Sequence, residues 1–149
     1  MHRVQVDQSG LIGKTSVNTV LAFSDQISYA ILIPARVKRA GLEYLRRRRP
    51  PFKLPYLKLF AAGLFLLLKD HLHQLELVTI DTEFTGLEGH IKGMLLRYIR
   101  RIDPSFSKDK ITFRRIGKGS RAHLKAIETY RENLKPDRVV TQEELLALL

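Results

Sequence analysis

The fold is decided by residues 77–86, which read LVTIDTEFTG. A short run of β-branched and apolar residues ends there in two carboxylates, Asp81 and Glu83. In α/β proteins the C-terminal ends of buried strands line the crevice in which ligands bind. A second strand-like run, residues 4–7 (VQVD), also ends in an aspartate, Asp7. If the two strands are neighbours, their aspartates lie side by side and can hold a divalent metal ion through oxygen ligands.

Composition narrows the class of protein around this candidate site. The chain has 149 residues, a length that suits one domain with a hydrophobic core. Its formal net charge is +11, which favours a polyanionic partner, most often nucleic acid. The absence of cysteine excludes disulfide and thiolate chemistry and favours a cytoplasmic location. The longest apolar run, residues 59–68, is shorter than the roughly 20 residues of a membrane-spanning helix, so we expect no membrane partner.

Hydrophobic periodicity and turn residues predict the elements of secondary structure. Three strands with short turns, a pattern typical of an antiparallel meander, are predicted at 3–7, 19–24 and 27–33. Two further strands are predicted at 77–81 and 111–116, and helices at 35–48, 55–73, 88–102 and 121–134. The second of these helices is apolar nearly all round, which predicts a buried position. The pattern also places Ile102 and Leu134 on the buried faces of the last two helices.

The predicted fold is therefore α/β, with the element order β-β-β-α-β-α-β-α. Its mixed five-stranded sheet has three antiparallel strands followed by two that arrive through helical crossovers, parallel to the first. Residues 1–134 form this domain. Residues 135–149 are predicted to be a C-terminal tail with a short helix, which begins at a capping box made by Thr141 and Glu144.

This element order, with Asp7 ending the first strand and Asp81 ending the fourth, resembles the ribonuclease H-like superfamily. That superfamily includes RNase H, the RuvC-type Holliday-junction resolvases and the Piwi-type nucleases, and the resemblance covers residues 3–134. It implies that the two aspartates bind Mg²⁺ or Mn²⁺. It also implies a metal-dependent nuclease that hydrolyses phosphodiester bonds in structured DNA or RNA.

The family takes a further ligand, an acid or a histidine, from the last helix. At 100° per residue, His123 shares the inner face of the predicted helix with Ile127 and Tyr130. The Piwi-type branch uses an Asp-Asp-His set, which would correspond here to Asp7, Asp81 and His123. A structural histidine that caps the helix is the open alternative.

One more acid is a candidate for the catalytic site. Glu83 lies two residues beyond Asp81 and can turn toward the same metal ion, and we rank it above Glu88 at the start of the next helix. The acids of the last helix, Glu128 and Glu132, fall on its outer face. The resolvase branch commonly has two acids on this helix, so a strict resolvase assignment is disfavoured.

Basic residues cluster in two regions, 36–58 and 97–121. Such regions bind phosphate backbones without sequence preference, with an affinity that falls as salt rises. Backbone N–H groups at the start of the last helix can also hold a phosphate. The residues that we expect to contact nucleic acid are Lys14, Arg46, Arg47, Arg48, Arg49, Lys118 and Arg121.

Two other functions remain open at this stage. If the acids are vestigial, the protein binds nucleic acid on the same fold without cleaving it. Alternatively, residues 8–15 (QSGLIGKT) resemble a P-loop in which Gln8 replaces the first glycine, so Gly10–Thr15 would bind a nucleotide. A P-loop must be followed by a helix, however, and a β-rich segment follows here. The choice between DNA and RNA and a possible homodimer also stay open.

Overall fold

One mixed sheet of six strands organises the computed structural model, which describes residues 1–50 and 53–149. The strands are β1 (His2–Ser9), β2 (Thr19–Ser24), β3 (Ser28–Ile33), β4 (Leu75–Asp81), β5 (Ile111–Arg114) and β6 (Arg138–Val139). Their order across the sheet is β5-β4-β1-β2-β3-β6. Strands β1, β2 and β3 pair antiparallel, and β4 and β5 extend the sheet parallel to β1. The predicted α/β fold and its change from antiparallel to parallel pairing are confirmed.

The sheet has one strand more than predicted. Strand β6 runs parallel to β3, with Ile31 opposite Arg138 and Leu32 opposite Val139. Asp137 strengthens this edge because its N–H donates to the Ala30 carbonyl oxygen, while its Oδ2 accepts from the Ala30 N–H, both at 2.8 Å. The prediction of five strands is therefore wrong, since a two-residue strand is too short to show a periodic pattern.

Helices cover both faces of the sheet. They are α1 (Ala35–Arg47), α2 (Pro55–Leu68), α3 (Glu88–Ile99), α4 (Arg121–Tyr130) and α5 (Gln142–Leu148). Strand β2 separates the two layers: Val20 and Ala22 cluster with Ala126 of α4, whereas Leu21 and Phe23 belong to the larger core around α2. Helices α1, α3 and α5 each pack against α2.

Helix α2 is the centre of the larger core, as its sequence predicts. Eleven of its fourteen residues are buried, and Pro55 begins the helix at a position that needs no backbone N–H donor. The helix ends at Leu68, five residues before the predicted end, and a short 3-10 helix, Leu72–Gln74, follows. Within the described ranges, no helix is long and apolar enough to cross a membrane.

The C-terminal residues belong to the same core. A Cβ atom added to Gly41 of α1 would lie 3.1 Å from Leu149 Cδ1 and 3.2 Å from Leu145 Cδ2, so α1 and the last turn of the chain approach closely. Leu145 is fully buried. Residues 138–149, which the sequence assigns to a tail, thus contribute a strand and a packed helix to the domain.

The ends of two helices differ from the predicted ones. Helix α3 ends at Ile99 and α4 at Tyr130, so Ile102 and Leu134 lie beyond them and are exposed. The predicted burial of these two side chains is wrong, because the apolar periodicity of the sequence continues past the last turn of each helix. The residues of α4 that face the sheet most closely are Ala122, Ala126 and Thr129.

Lys38 of α1 is an unexpected core residue, because its side chain is fully buried. Its Nζ donates to the carbonyl oxygens of Leu11 and Lys14, at 3.2 Å and 2.7 Å, and to Thr19 Oγ1 at 2.9 Å. Burial, with a smaller effect from the charge of Arg39, lowers the pKa of Lys38 to about 8. The lysine therefore ties α1 to the loop of residues 10–18 between β1 and β2.

Candidate metal centre

Three carboxylates meet where β1 and β4 approach their C-terminal ends. The two strands run parallel with Val6 opposite Ile80, so Asp7 and Asp81 follow as the next residue on each strand. Glu83 lies just beyond β4. One carboxylate oxygen from each of Asp7, Asp81 and Glu83 lies within 4.8 Å of the others. The predicted proximity of Asp7 and Asp81 is confirmed, and Glu83 completes the group, which we call the acid cluster.

Hydrogen bonds hold the two aspartates in place. Asp7 Oδ1 accepts the N–H of Gln8 at 2.8 Å, and Asp7 Oδ2 lies 2.9 Å from His123 Nδ1. Asp81 Oδ1 accepts the N–H of Ile116 at 2.6 Å, so the segment after β5 helps to orient it. Both carboxylates therefore have a fixed direction before any ligand binds.

Burial and mutual repulsion raise the pKa values of two carboxyl groups in the acid cluster, those of Asp7 and Glu83. Burial is the main reason that the pKa of Asp7 is raised, and hydrogen bonds from His123 and Gln8 oppose the rise. Burial likewise raises the pKa of Glu83 to about 7, and the nearby carboxylates of Asp81 and Asp7 add to the effect. Carboxylates this close favour a shared proton when no cation balances them.

The acid cluster fits a hard divalent cation. Within the described part of the chain, none of its three carboxylates forms an ion pair with a lysine or arginine. Oxygen ligands from carboxylates are those that Mg²⁺ and Mn²⁺ prefer. A bound divalent cation would replace the shared proton and balance the charge that the protein leaves unpaired.

His123 lies beside the acid cluster and contacts only one of its members. The Ser120 hydroxyl caps α4 by accepting the N–H of His123 at 3.0 Å, which sets the ring one turn into the helix. Ring atom Nδ1 is engaged with Asp7, and the ring is not among the groups that lie within 4.8 Å of one another. The Asp-Asp-His set is therefore not assembled through Nδ1. Glu83 is the third member of the acid cluster, and His123 contacts Asp7.

Gln8 is a member of the site that the sequence analysis missed. Its side chain is almost fully buried, its Oε1 accepts the N–H of Ile12 at 3.2 Å, and its side-chain amide acts to lower the pKa of Glu83. A single glutamine in a stretch of turn-forming residues carries no signal for this role. It links the loop after β1 to the acid cluster.

That loop does not have the geometry of a P-loop. Residues 10–18 lead directly into β2, so no helix N-terminus faces the position where a phosphate would lie. The carbonyl oxygens of Leu11 and Lys14 are instead bound by the buried Lys38. The arrangement disfavours nucleotide binding by Gly10–Thr15 in the manner of a P-loop.

Of the basic residues expected to contact nucleic acid, Lys14 lies beside the acid cluster. It lines a cavity of about 440 Å³ together with Gln8, Glu83 and Phe84. Lys118 and Arg121 lie at the start of α4, where both are exposed. Arg121 donates to the carbonyl oxygen of Asp25 at 3.1 Å, so its position is partly fixed.

The arginine run at the end of α1 does not form one uniform surface. Arg46 donates to the Tyr56 hydroxyl at 3.1 Å, and Arg47 pairs with Glu43 on the same helix. Arg48 donates to the carbonyl oxygen of Leu149 at 3.0 Å. Arg46, Arg47 and Arg49 line one surface cavity, whereas Arg48 and Arg49 line another. The four arginines therefore lie in different local environments.

The fold and the site together define an α/β protein with a carboxylate cluster at the ends of two adjacent parallel strands. Comparison with protein-family models, with curated proteins and with solved structures finds no significant match for this chain. The resemblance to the ribonuclease H-like superfamily thus stays a prediction based on element order and on Asp7 and Asp81.

Proposed function

We propose that the protein is a metal-dependent nuclease of RNase H-like type that hydrolyses phosphodiester bonds in DNA or RNA. The observation that carries the proposal is the acid cluster, in which oxygens of Asp7, Asp81 and Glu83 lie within 4.8 Å of one another. The pairing of β1 beside β4 also supports it, because the resemblance to that superfamily implies that these two strands are neighbours.

The roles of the residues follow from their contacts. Asp7, Asp81 and Glu83 would hold Mg²⁺ or Mn²⁺, and His123 and Gln8 would keep the Asp7 carboxylate in a fixed orientation. A divalent cation in such a site supplies the positive charge that stabilises a phosphodiester during its hydrolysis. Because Glu83 has a pKa of about 7 without a cation, its carboxyl would release its proton when the cation binds.

Positive charge outside the acid cluster would bring the substrate to it. The net charge of +11 attracts a polyanion, and Lys14 lies in the cavity next to Glu83, where a phosphate close to the scissile one can be held. Lys118 and Arg121 flank the start of the helix that carries His123. These contacts are to the backbone, so the proposal implies weak sequence preference and strong salt dependence.

The test is a cleavage assay on labelled single-stranded, duplex and branched DNA and RNA, with Mg²⁺, Mn²⁺ or EDTA. We expect cleavage that needs the cation. Asp7→Asn or Asp81→Asn should lower it by more than about 100-fold, since even the outer partners of metal ligands are often worth about 10–100-fold. Glu88→Gln is the matched control, because Glu88 begins α3 outside the acid cluster.

The assay also decides between the proposal and its alternative. Binding to nucleic acid with no cleavage under any cation would support a non-catalytic nucleic-acid-binding protein on the same fold. Equal cleavage by the wild-type protein and both aspartate variants would mean that a contaminating nuclease is responsible, and the proposal would then be unsupported. Absence of both binding and cleavage would contradict both functions.

A further inference from the structure

A second concave site lies between helix α3 and the described residues 48–50, 53 and 54, which precede α2. It has a volume of about 620 Å³, and we call it the basic cavity. Four cationic side chains line it, those of Arg48, Arg49, Lys53 and Arg97. Among the described residues of its lining there is no aspartate or glutamate. The basic cavity shares no residue with the acid cluster.

Among the described residues, no aspartate or glutamate pairs with the four cationic side chains of the basic cavity. In the described part of the chain, Arg49, Lys53 and Arg97 form no ion pair, and Arg48 donates to the backbone oxygen of Leu149. Lys58 lies close enough for the same positive charges to affect it. Its pKa is lowered first by burial and then by the charges of Arg101, Arg48 and Arg97. An anionic ligand would relieve this repulsion.

The volume and lining of the basic cavity indicate a ligand that is larger than a phosphate ion. Its volume lies within the range of about 300–1,000 Å³ that is usual for small-molecule sites. Gly89 and Gly93 lie one turn apart on α3 and face open space, since an added Cβ would meet no atom within 4 Å at either position. Met94 and Leu54 supply apolar surface beside this glycine face. A flat apolar group can therefore lie against the backbone of α3.

We propose that the basic cavity binds a nucleotide unit that carries a phosphate monoester. The phosphate would lie among the four cationic side chains, where arginine forks match its oxygens, and the base would lie on the glycine face of α3. A monoester carries close to two negative charges, whereas an internal phosphodiester carries one, so the density of cations favours the monoester. Its source is either the phosphorylated end of a nucleic-acid strand or a free nucleotide.

The first measurement is a calorimetric titration of the full chain with adenosine 5′-monophosphate (AMP), adenosine and inorganic phosphate, in EDTA. EDTA keeps divalent cations from the acid cluster, and binding is read without cleavage. The proposal and the nuclease function can thus fail independently of each other. We expect AMP to bind at least about tenfold more tightly than adenosine or phosphate alone, because each of these lacks one half of the contacts.

Two substitutions locate the binding, and each has a matched control. Gly93→Phe places a bulky uncharged side chain in the basic cavity from a position where an added Cβ meets no atom within 4 Å, so we expect AMP binding to be lost, with urea unfolding as the check that the variant is folded. Gly93→Ala is its matched control and should bind AMP normally. Arg97→Ala should weaken AMP binding by about 10–100-fold, the usual effect of losing a hydrogen bond to a charged group. The same change at the exposed Arg131, which is outside this lining, should have no effect.

Oligonucleotides with and without a 5′-phosphate then identify the source. Tighter binding of the phosphorylated strand, lost in Gly93→Phe, would assign the basic cavity to a strand end, whereas binding of AMP alone would assign it to a free nucleotide. Both results support the proposal. Unchanged AMP binding by Gly93→Phe would overturn it. So would phosphate binding as tight as AMP binding, or binding only to phosphatidylserine vesicles, the last of which would indicate a membrane surface.

Discussion

Replacement of Glu83 by glutamine is expected to stabilise the metal-free protein at neutral and alkaline pH. The pKa of Glu83 is about 7 in the folded protein, against an ordinary value of 4.5. The folded state therefore binds this proton more tightly than the unfolded state. The contribution of the group to stability is full below pH 4.5 and is lost as the pH rises to 7. Glutamine keeps the size of the side chain and removes the charge that causes the loss.

The size of the effect follows from the difference between the two pKa values. A rise from 4.5 to about 7 corresponds to about 3 kcal/mol of unfolding free energy, at 1.36 kcal/mol for each pH unit. Solvent screens a carboxyl that is only partly buried, and Asp7 and Asp81 adjust their own protonation when Glu83 is replaced. We therefore expect Glu83→Gln to gain about 1–2 kcal/mol at pH 8 and almost nothing at pH 4.

Urea unfolding at pH 4 and pH 8 in EDTA measures this difference, with Glu88→Gln as the control that should gain no stability. Added Mg²⁺ or Mn²⁺ at pH 8 should reverse the order, because the wild-type protein keeps the third carboxylate for the cation. Two results would refute the reasoning. Glu83→Gln could fail to gain stability at pH 8 in EDTA, or it could gain as much at pH 4 as at pH 8, which would indicate a change in packing.

Three other substitutions test separate parts of the structure. His123→Ala removes a hydrogen bond that lowers the pKa of Asp7, so that pKa should rise further in an NMR titration of the carboxyl carbon; an unchanged curve would show that the ring does not act on Asp7. Lys38→Met removes three hydrogen bonds to the loop of residues 10–18 and to Thr19, and it should cost about 1–3 kcal/mol in urea unfolding, with faster amide exchange over residues 11–17. If the variant were as stable as the wild type, the hydrogen bonds from Lys38 to this loop would not stabilise the fold. In the wild type, stability should also rise from pH 8 toward 10.5, because the folded state releases the Lys38 proton first. Reversing the charges of Arg46–Arg49 should weaken nucleic-acid binding and flatten its salt dependence, whereas an unchanged slope would mean that the run faces away from the partner.

The proximity of Asp7 and Asp81 could be predicted because it depends on the order of the elements and the direction of the strands. Both residues end apolar runs, and parallel strands are joined by crossover connections that usually contain a helix. Element order and strand direction then place the two aspartates at the same edge, as the register of Val6 with Ile80 confirms.

The features that the sequence did not predict depend on single contacts between distant residues. Lys38 looks like a solvent-exposed helical lysine until the loop of residues 10–18 folds over it and supplies three acceptors. His123 was placed on the correct side of its helix, but whether a ring reaches a metal ion or a carboxylate is decided within one or two ångströms. Helical periodicity gives a direction and cannot give such a distance.

Strand β6 also bears on how the protein is made. Without it, β3 would be an edge strand with unpaired backbone N–H and C=O groups, the kind of surface on which chains associate and aggregate. Because β6 is the last of the six strands to be synthesised, a nascent chain exposes the edge of β3 until residues 138–149 have left the ribosome. During that interval the apolar surface of α1 around Gly41 is also uncovered, since Leu145 and Leu149 are not yet present. Newly made chains are therefore most prone to join one another in the short time before residues 138–149 emerge.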